Sequence, residues 1–180
     1  TTAINTLIER KGANVGLIVT RGTRDVYLIG RGNRPDAYNV FFNRPQPLLP
    51  RRQIHEVNER MYASGAVREK IDVKQLRAIC KELKAQNVEA VAISFLHAYA
   101  NPEHEKVAGR IVQEMLPGAY VSLSHEILRE YREYERTSTT VLNAYVGPRV
   151  SNYLATLEDY LRGAKFPGKL HMMRSNGGVM

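Results

Sequence analysis

The chain has 180 residues, a net charge of +8, 43% hydrophobic and 24% charged residues, and a single cysteine. That is enough chain for one domain with a real core, or one and a half small ones, and its composition is globular rather than low-complexity. No apolar run approaches the ~20 residues of a membrane span, no basic-then-apolar leader opens the chain, and a lone cysteine closes no internal disulfide, so a cytoplasmic protein without membrane contact is expected.

In chain order, Ile4, Leu7 and Ile8 fall at helical spacing, and Gly12 after Arg10 and Lys11 suits a helix C-terminus. Val15 to Thr20 is a short apolar run, a buried strand candidate. Val26 to Ile29 is apolar and short, and fits helix or strand. Asn33 to Arg52 contains Pro35, Pro45, Pro47 and Pro50, which forbid regular structure. Its aromatics Tyr38, Phe41 and Phe42 need packing partners, so an ordered loop is expected rather than a linker. Gln53–Met61 and Ala66–Lys70 read as a small hairpin around Ser64-Gly65.

Asp72 is placed to cap a helix running to about Gln86, with Cys80 on its apolar face as a buried thiol. Val88 to Leu96 is the most strand-like run in the chain. Asn101-Pro102 opens a helix to about Leu116, with Glu103 and Glu105 in its first turn. Tyr120 to Leu123 is a third strand, and Leu170 to Met173, after the Pro167-Gly168 turn, a fourth.

Between these last two strands lies REYREYERTSTTVLNAY, Arg129 to Tyr145. Ile127, Tyr131, Tyr134, Ser138, Val141 and Tyr145 recur at steps of three and four, one face of an α-helix. That face is expected against the sheet, with Glu133 and Glu135 on a solvated face and a break at Gly147-Pro148. Thr137, Ser138, Thr139 and Thr140 are poor helix formers, because their hydroxyls compete for backbone partners. Such a run permits close packing by a neighbouring element, or presents hydroxyls to a ligand.

Strands alternating with helices predict an α/β fold with a mainly parallel sheet flanked by helices, plus the Pro-rich loop and the small hairpin insertion. Ligands of such sheets sit beyond the strand C-termini. That rim would hold Thr20-Arg21-Gly22, Leu96-His97-Ala98, Ser124-His125-Glu126 and the segment from Arg174 to Gly178. Asn176-Gly177-Gly178 offers backbone N–H groups to an anion, or a plain turn. His97, His104 and Glu105 read as a hydrogen-bonded histidine with helix-capping acids, or as metal ligands. His125 and Glu126 diverge in a strand and make no dyad. GxGxxG, GxxxxGKS, CxxC and GxSxG are all absent. Seven arginines between Arg21 and Arg52 allow a basic nucleic-acid-binding module, but they are scattered among prolines and accompany no recognition motif. The start at Thr1 and the end just after Asn176-Gly177-Gly178 suggest an excised piece of a longer protein.

TTAINTLIERKGANVGLIVTRGTRDVYLIGR, FLHAYANPEHE, EYERTSTTVLNAYV and MRSNGGVM, in that order, resemble the hydantoinase A / 5-oxoprolinase family, and the likeness runs nearly the whole length. The resemblance implies part of an actin-like ATPase lobe. Residues 1–125 would be the C-terminal part of the hydantoinase A N-terminal domain, and residues 126–180 the start of the core domain. It implies an ATP-dependent ring-opening hydrolase of cyclic amides such as hydantoin or 5-oxoproline, inactive as this piece alone. A ketone (acetone) carboxylase subunit of the same family is the alternative. ATP and Mg²⁺ would serve the full-length protein. The partners implied are the remaining half of the same chain, a hydantoinase B-like subunit and the small cyclic amide. Thr1 and Thr2 match the end of the family's His-Gly-Thr-Thr element and Ser175, Asn176, Gly177 and Gly178 its SNGG, with Arg174 where the family pattern has Gln. With Thr137 and Thr139 of the hydroxyl run, these are the nucleotide- or substrate-binding candidates. The family's Gly-rich phosphate motifs are missing from these 180 residues, and no residue is carried over as catalytic.

Overall fold

The computed structural model describes residues 2–33, 36, 38–43 and 45–173. Four strands form one parallel sheet in the order β2-β1-β5-β6: β1 (Val15–Thr20), β2 (Ile54–Val57), β5 (Ala90–Ser94) and β6 (Tyr120–Leu123). Helices α3 (Val73–Ala85) and α4 (Glu103–Met115) cover one face. The long helix α6 (Glu133–Gly163) packs on the other, with α1 (Thr2–Ile8) and the short α2 (Val26–Ile29) against it. A separate two-stranded ribbon, β3 (Arg60–Met61) with β4 (Val67–Glu69), follows β2, and the short α5 (Ser124–Ile127) follows β6.

The strand residues explain the layering. In β5, Val91 and Ile93 join the α3/α4 core, while Ala90 and Ala92 join the α6 core. β1 divides in the same way, Ile18 to one side and Val15, Leu17 and Val19 to the other. The alanine side leaves room for α6, which meets it with its own small residues: Thr137, Thr140, Val141 and Ala144 are all buried. The hydroxyl run therefore serves close packing, the more ordinary of its two readings. Gly147 allows a further close approach, since a Cβ there would lie 2.6 Å from the Tyr120 ring.

Several expectations change. Residues 54–61 do not act as one hairpin arm. Ile54 and Val57 are buried while His55 and Glu56 are half-buried, the strand pairs with β1, and only Arg60–Met61 pairs with β4. Ile54–Val57 thus takes the fourth place in the parallel sheet. Leu170–Met173 is not a strand there but irregular, with an isolated bridge at Met173. α6 is 31 residues, about 46 Å, and carries the chain away: it has no buried residue after Gly147. The helix starts at Glu133, so Tyr131 stands outside it and is exposed, while Tyr134 and Ser138 are half-buried. Pro148 does not break it. Proline removes the bond to the carbonyl four residues back, and the neighbouring Tyr145 carbonyl accepts from Ala13 N at 2.9 Å, tying α6 to the entrance of β1. In the Pro-rich loop, Tyr38 and Phe41 are exposed rather than packed, and Leu49 supplies its core contact.

Asp72 caps α3 as expected, its carboxylate accepting from Gln75 N at 3.0 Å. Gln75 has a second task. Its amide oxygen accepts from Asn58 N (2.7 Å) and its Nε2 donates to Glu56 O (3.3 Å), imitating a neighbouring strand on the open edge of β2. Gln75→Leu should cost about 1–2 kcal/mol by stranding these groups, read as a lower urea midpoint with unchanged m-value.

Candidate functional site

The C-terminal ends of β1, β5 and β6 meet the N-terminal turns of α4 and α6 in two buried polar networks. The first centres on Glu59, in the link from β2 to β3. Its side chain accepts from Thr20 Oγ1 and lies 2.8 Å from His104 Nδ1, while Leu96 N donates to Thr20 Oγ1 at 2.9 Å. The second centres on Glu105, fully buried in the first turn of α4. It accepts from Phe95 N (2.9 Å), Ser124 Oγ (2.5 Å) and His125 N (2.9 Å), and His125 Nδ1 lies 2.7 Å from it. His125 therefore pairs with Glu105 across the fold; neighbouring Glu126 is solvent-exposed.

α6 enters this rim through Arg136 and Thr137. Arg136 is 1% exposed; it donates to Phe95 O (2.7 Å) and Glu130 O (2.9 Å), and its guanidinium lies over the Tyr99 ring at 5.5 Å. Burial lowers its pKa, opposed by the nearby carboxylates of Glu105 and Glu133. Its Nε is buried without a hydrogen-bond partner. Thr137 Oγ1 pairs with Ser94 Oγ at 2.8 Å. His97, which adopts a left-handed backbone (φ 58°), contacts Tyr99 through ring and hydroxyl.

FLHAYANPEHE is thus a clamp: Phe95, Leu96, His104 and Glu105 tie β5 and α4 to the neighbouring strand ends, and Asn101 Nδ2 donates to Gly65 O at 2.8 Å. Its histidines and acids are hydrogen-bonded pairs. Among the described residues no group of three or more His, Cys, Asp or Glu could hold a metal ion. The burial of Glu59 and Glu105 escaped sequence reasoning, because each sits in a polar context, and their partners lie 10 to 45 residues away.

The candidates named from sequence are not gathered in one place. Thr137 is on the rim, buried and paired. The Thr139 hydroxyl bonds back to Glu135 O at 2.8 Å, along its own helix. Thr2 is exposed and lines a depression with Gly12 and Arg149, and Arg149 lies about 18 Å along α6 from Thr137. Thr1, Arg174, Ser175, Asn176, Gly177 and Gly178 lie outside the described residues. Of the arginines between 21 and 52, Arg31 pairs with Glu135 and Arg51 with Asp25, whose carboxyl it holds below the usual range. Arg24 donates to Arg51 O. The Arg31 and Arg51 contacts are surface ion pairs that offset part of the stretch's positive charge. Among the described residues no helix is long and apolar enough to cross a membrane.

Cys80 is 1% exposed within the α3/α4 core, and burial pushes its thiol up to about 11. It should react with a thiol reagent only through unfolding, so labelling at pH 8 should be at least about a hundredfold slower than in urea.

Comparison with known proteins adds identity to this geometry. The model of the hydantoinase/oxoprolinase N-terminal region matches residues 1–116, and that of the hydantoinase/oxoprolinase domain matches residues 136–180. A Methanocaldococcus jannaschii protein is 46% identical over 92% of this chain and 24% of its own length. The alpha subunit of a caprolactamase from Pseudomonas jessenii is 35% identical over 99% of this chain and 26% of its own. The crystal structure of that ATP-dependent caprolactamase superposes with a TM-score of 0.91 at 34% identity over 99% of this chain and 26% of that one. A nucleotide-free acetone carboxylase structure superposes at 0.86 and 28% identity, over 100% of this chain and 27% of that one. The chain spans about a quarter of the length of these relatives.

Proposed function

Because the chain belongs to the hydantoinase/oxoprolinase family, whose relatives include ATP-dependent amide hydrolases and ketone carboxylases, we propose that it forms one wall of a larger ATP-dependent enzyme that opens a cyclic amide such as a hydantoin or 5-oxoproline. The observation that carries this reading is the full-length superposition on an ATP-dependent caprolactamase four times as long. In this reading the piece belongs to an actin-like lobe in the cytoplasm. Residues 1–125 end its N-terminal domain and residues 126–180 begin the core domain. The remaining polypeptide and a hydantoinase B-like subunit complete the site.

The described residues do not by themselves fit ATP or Mg²⁺. Glu59 and Glu105 are engaged by internal donors, and among the described residues no group of three or more His, Cys, Asp or Glu could hold a cation. No step of phosphate chemistry is therefore assigned to them. Their part is to hold strand ends and the start of α6 rigid, so that groups brought by the rest of the protein meet a fixed surface. The segment from Ser175 to Gly178, Thr1 and Thr2, and the Thr137–Thr139 stretch are the places proposed to border that surface.

The test is ring opening by the full-length protein with its partner subunit. Hydantoin or 5-oxoproline should be opened only with ATP, with ADP released in step. Ring opening that proceeds without ATP removes this reading. A ketone carboxylase subunit is the second reading, favoured by the acetone carboxylase superposition; ATP consumption that needs both a ketone and bicarbonate would select it.

A further inference from the structure

The long helix changes its apolar side where it leaves the sheet. Up to Gly147 the buried side of α6 is marked by Thr137, Val141, Ala144 and Tyr145. Beyond it the apolar residues are Val150, Leu154, Leu157 and Leu161, flanked by Tyr153 and Tyr160. At 3.6 residues per turn, each of the four aliphatics lies within about 40° of the side opposite Val141. The side that continues Val141 carries Asn152, Asp159 and Arg162 instead, all exposed. None of the four aliphatics is buried, and Tyr153 and Tyr160 are 52% and 72% exposed. A helix end that merely projected into water would be polar all round, and one that served the sheet throughout would keep its apolar side in place. A stripe on the far side calls for a second body there.

The chain itself turns toward that side. After Gly163 it reverses through a left-handed Lys165 (φ 53°), with Lys165 N donating to Arg162 O and Phe166 N to Leu161 O, both at 3.0 Å. These paired bonds form a helix-ending motif that brings the residue after the left-handed one back onto the last apolar turn. Phe166 and Leu170 accordingly line one depression with Leu161, so the polypeptide leaves the helix beside the end of the stripe. Two further observations name the occupant. The hydantoinase/oxoprolinase domain match begins inside α6, at residue 136. Two solved relatives about four times as long superpose over 99% and 100% of this chain, so the helix runs on in the same way within a larger protein.

We propose that Val150, Leu154, Leu157 and Leu161, with Tyr153 and Tyr160, form a docking stripe for an apolar face of the polypeptide that follows residue 180 in the full-length protein. α6 is then a single strut with one domain on each side. The inference rests on the reading of this chain as part of a longer enzyme, and not on which reaction that enzyme performs.

The test is amide hydrogen exchange across residues 150–161, measured without nucleotide or cyclic amide on this chain and on the full-length protein. In this chain these amides should exchange like a helix end open to water, and in the full-length protein at least about a hundredfold more slowly. Replacing Leu154→Gln and Leu157→Gln together keeps good helix formers, and should remove most of that protection while leaving exchange in this chain unchanged. Asp159→Lys, on the opposite side, should keep the protection. Equal rates in the two proteins, or protection that survives the glutamine pair, overturns the proposal. So does protection that rises with concentration in this chain alone, which would assign the stripe to a second copy. Because no substrate enters the readout, a full-length protein that shows the protection but opens no ring removes the proposed activity and leaves the stripe assigned.

Discussion

Replacing Glu105 by glutamine is expected to cost roughly 2–5 kcal/mol of stability, because about two of its buried donors lose their acceptor at about 1–3 kcal/mol each. The carboxylate gathers four contacts, from Phe95 N, Ser124 Oγ, His125 N and His125 Nδ1. An amide oxygen can serve about two of them, and its NH₂ would face donors. Three elements meet at this side chain, so its loss should loosen the ends of β5 and β6 together and not α4 alone. Urea unfolding should show the drop. Amide exchange should locate it, with protection falling at Phe95 and His125 while the cap at Asp72 and Gln75 holds. Retention of full stability in the variant would mean that the network is not what fixes the rim.

The second large effect is expected at Arg136. Methionine there should cost about 2–4 kcal/mol, since the Phe95 and Glu130 carbonyls each lose a charged donor and the first is buried. Lysine should restore less than half, because one ammonium on a flexible stem cannot reproduce a planar fork that reaches two carbonyls and stacks on Tyr99. Glu105 and Arg136 share Phe95, one through its N–H and the other through its carbonyl. The double variant should therefore lose less than the sum of the two singles. Additive losses would separate the two networks that the geometry joins.

Much of the scaffold could be read from periodicity. Val15–Thr20, Ala90–Ser94 and Tyr120–Leu123 are strands of one parallel sheet, and the helices after Asp72 and Pro102 begin within a residue of where their capping chemistry puts them. What could not be read depends on partners far along the chain. Ile54–Val57 looks like a hairpin arm because four residues do not announce their neighbour, and only the apolar edge of β1 decides it. Leu170–Met173 has a strand's composition without a place in this sheet. Pro148 signals a break, yet the helix continues, one carbonyl beside it being taken up by Ala13. The helical face drawn through Tyr131 fails because α6 begins two residues later, at Glu133.

The rim was legible in place but not in kind. Strand ends and polar residues coincide there, as a parallel sheet dictates. The sequence suggests donors and acceptors open to a ligand, whereas Glu59 and Glu105 turn inward and consume most of them. A carboxylate in a loop or a first helical turn ordinarily faces water. Nothing local marks these two as buried, and their histidine partners come from other elements. The same inward turn explains the hydroxyl run, whose Thr137 reaches Ser94 and whose Thr139 and Thr140 bond back along the helix.

The central claim is that the described residues supply a rigid wall and that ATP turnover needs groups brought by a longer protein. It is tested most directly by ATP turnover measured side by side on this chain alone and on the same residues within a protein of the relatives' length, each with cyclic amide present. The account predicts amide-dependent ADP release from the longer protein and none from the chain alone. Sustained ADP release by the 180 residues alone would contradict it.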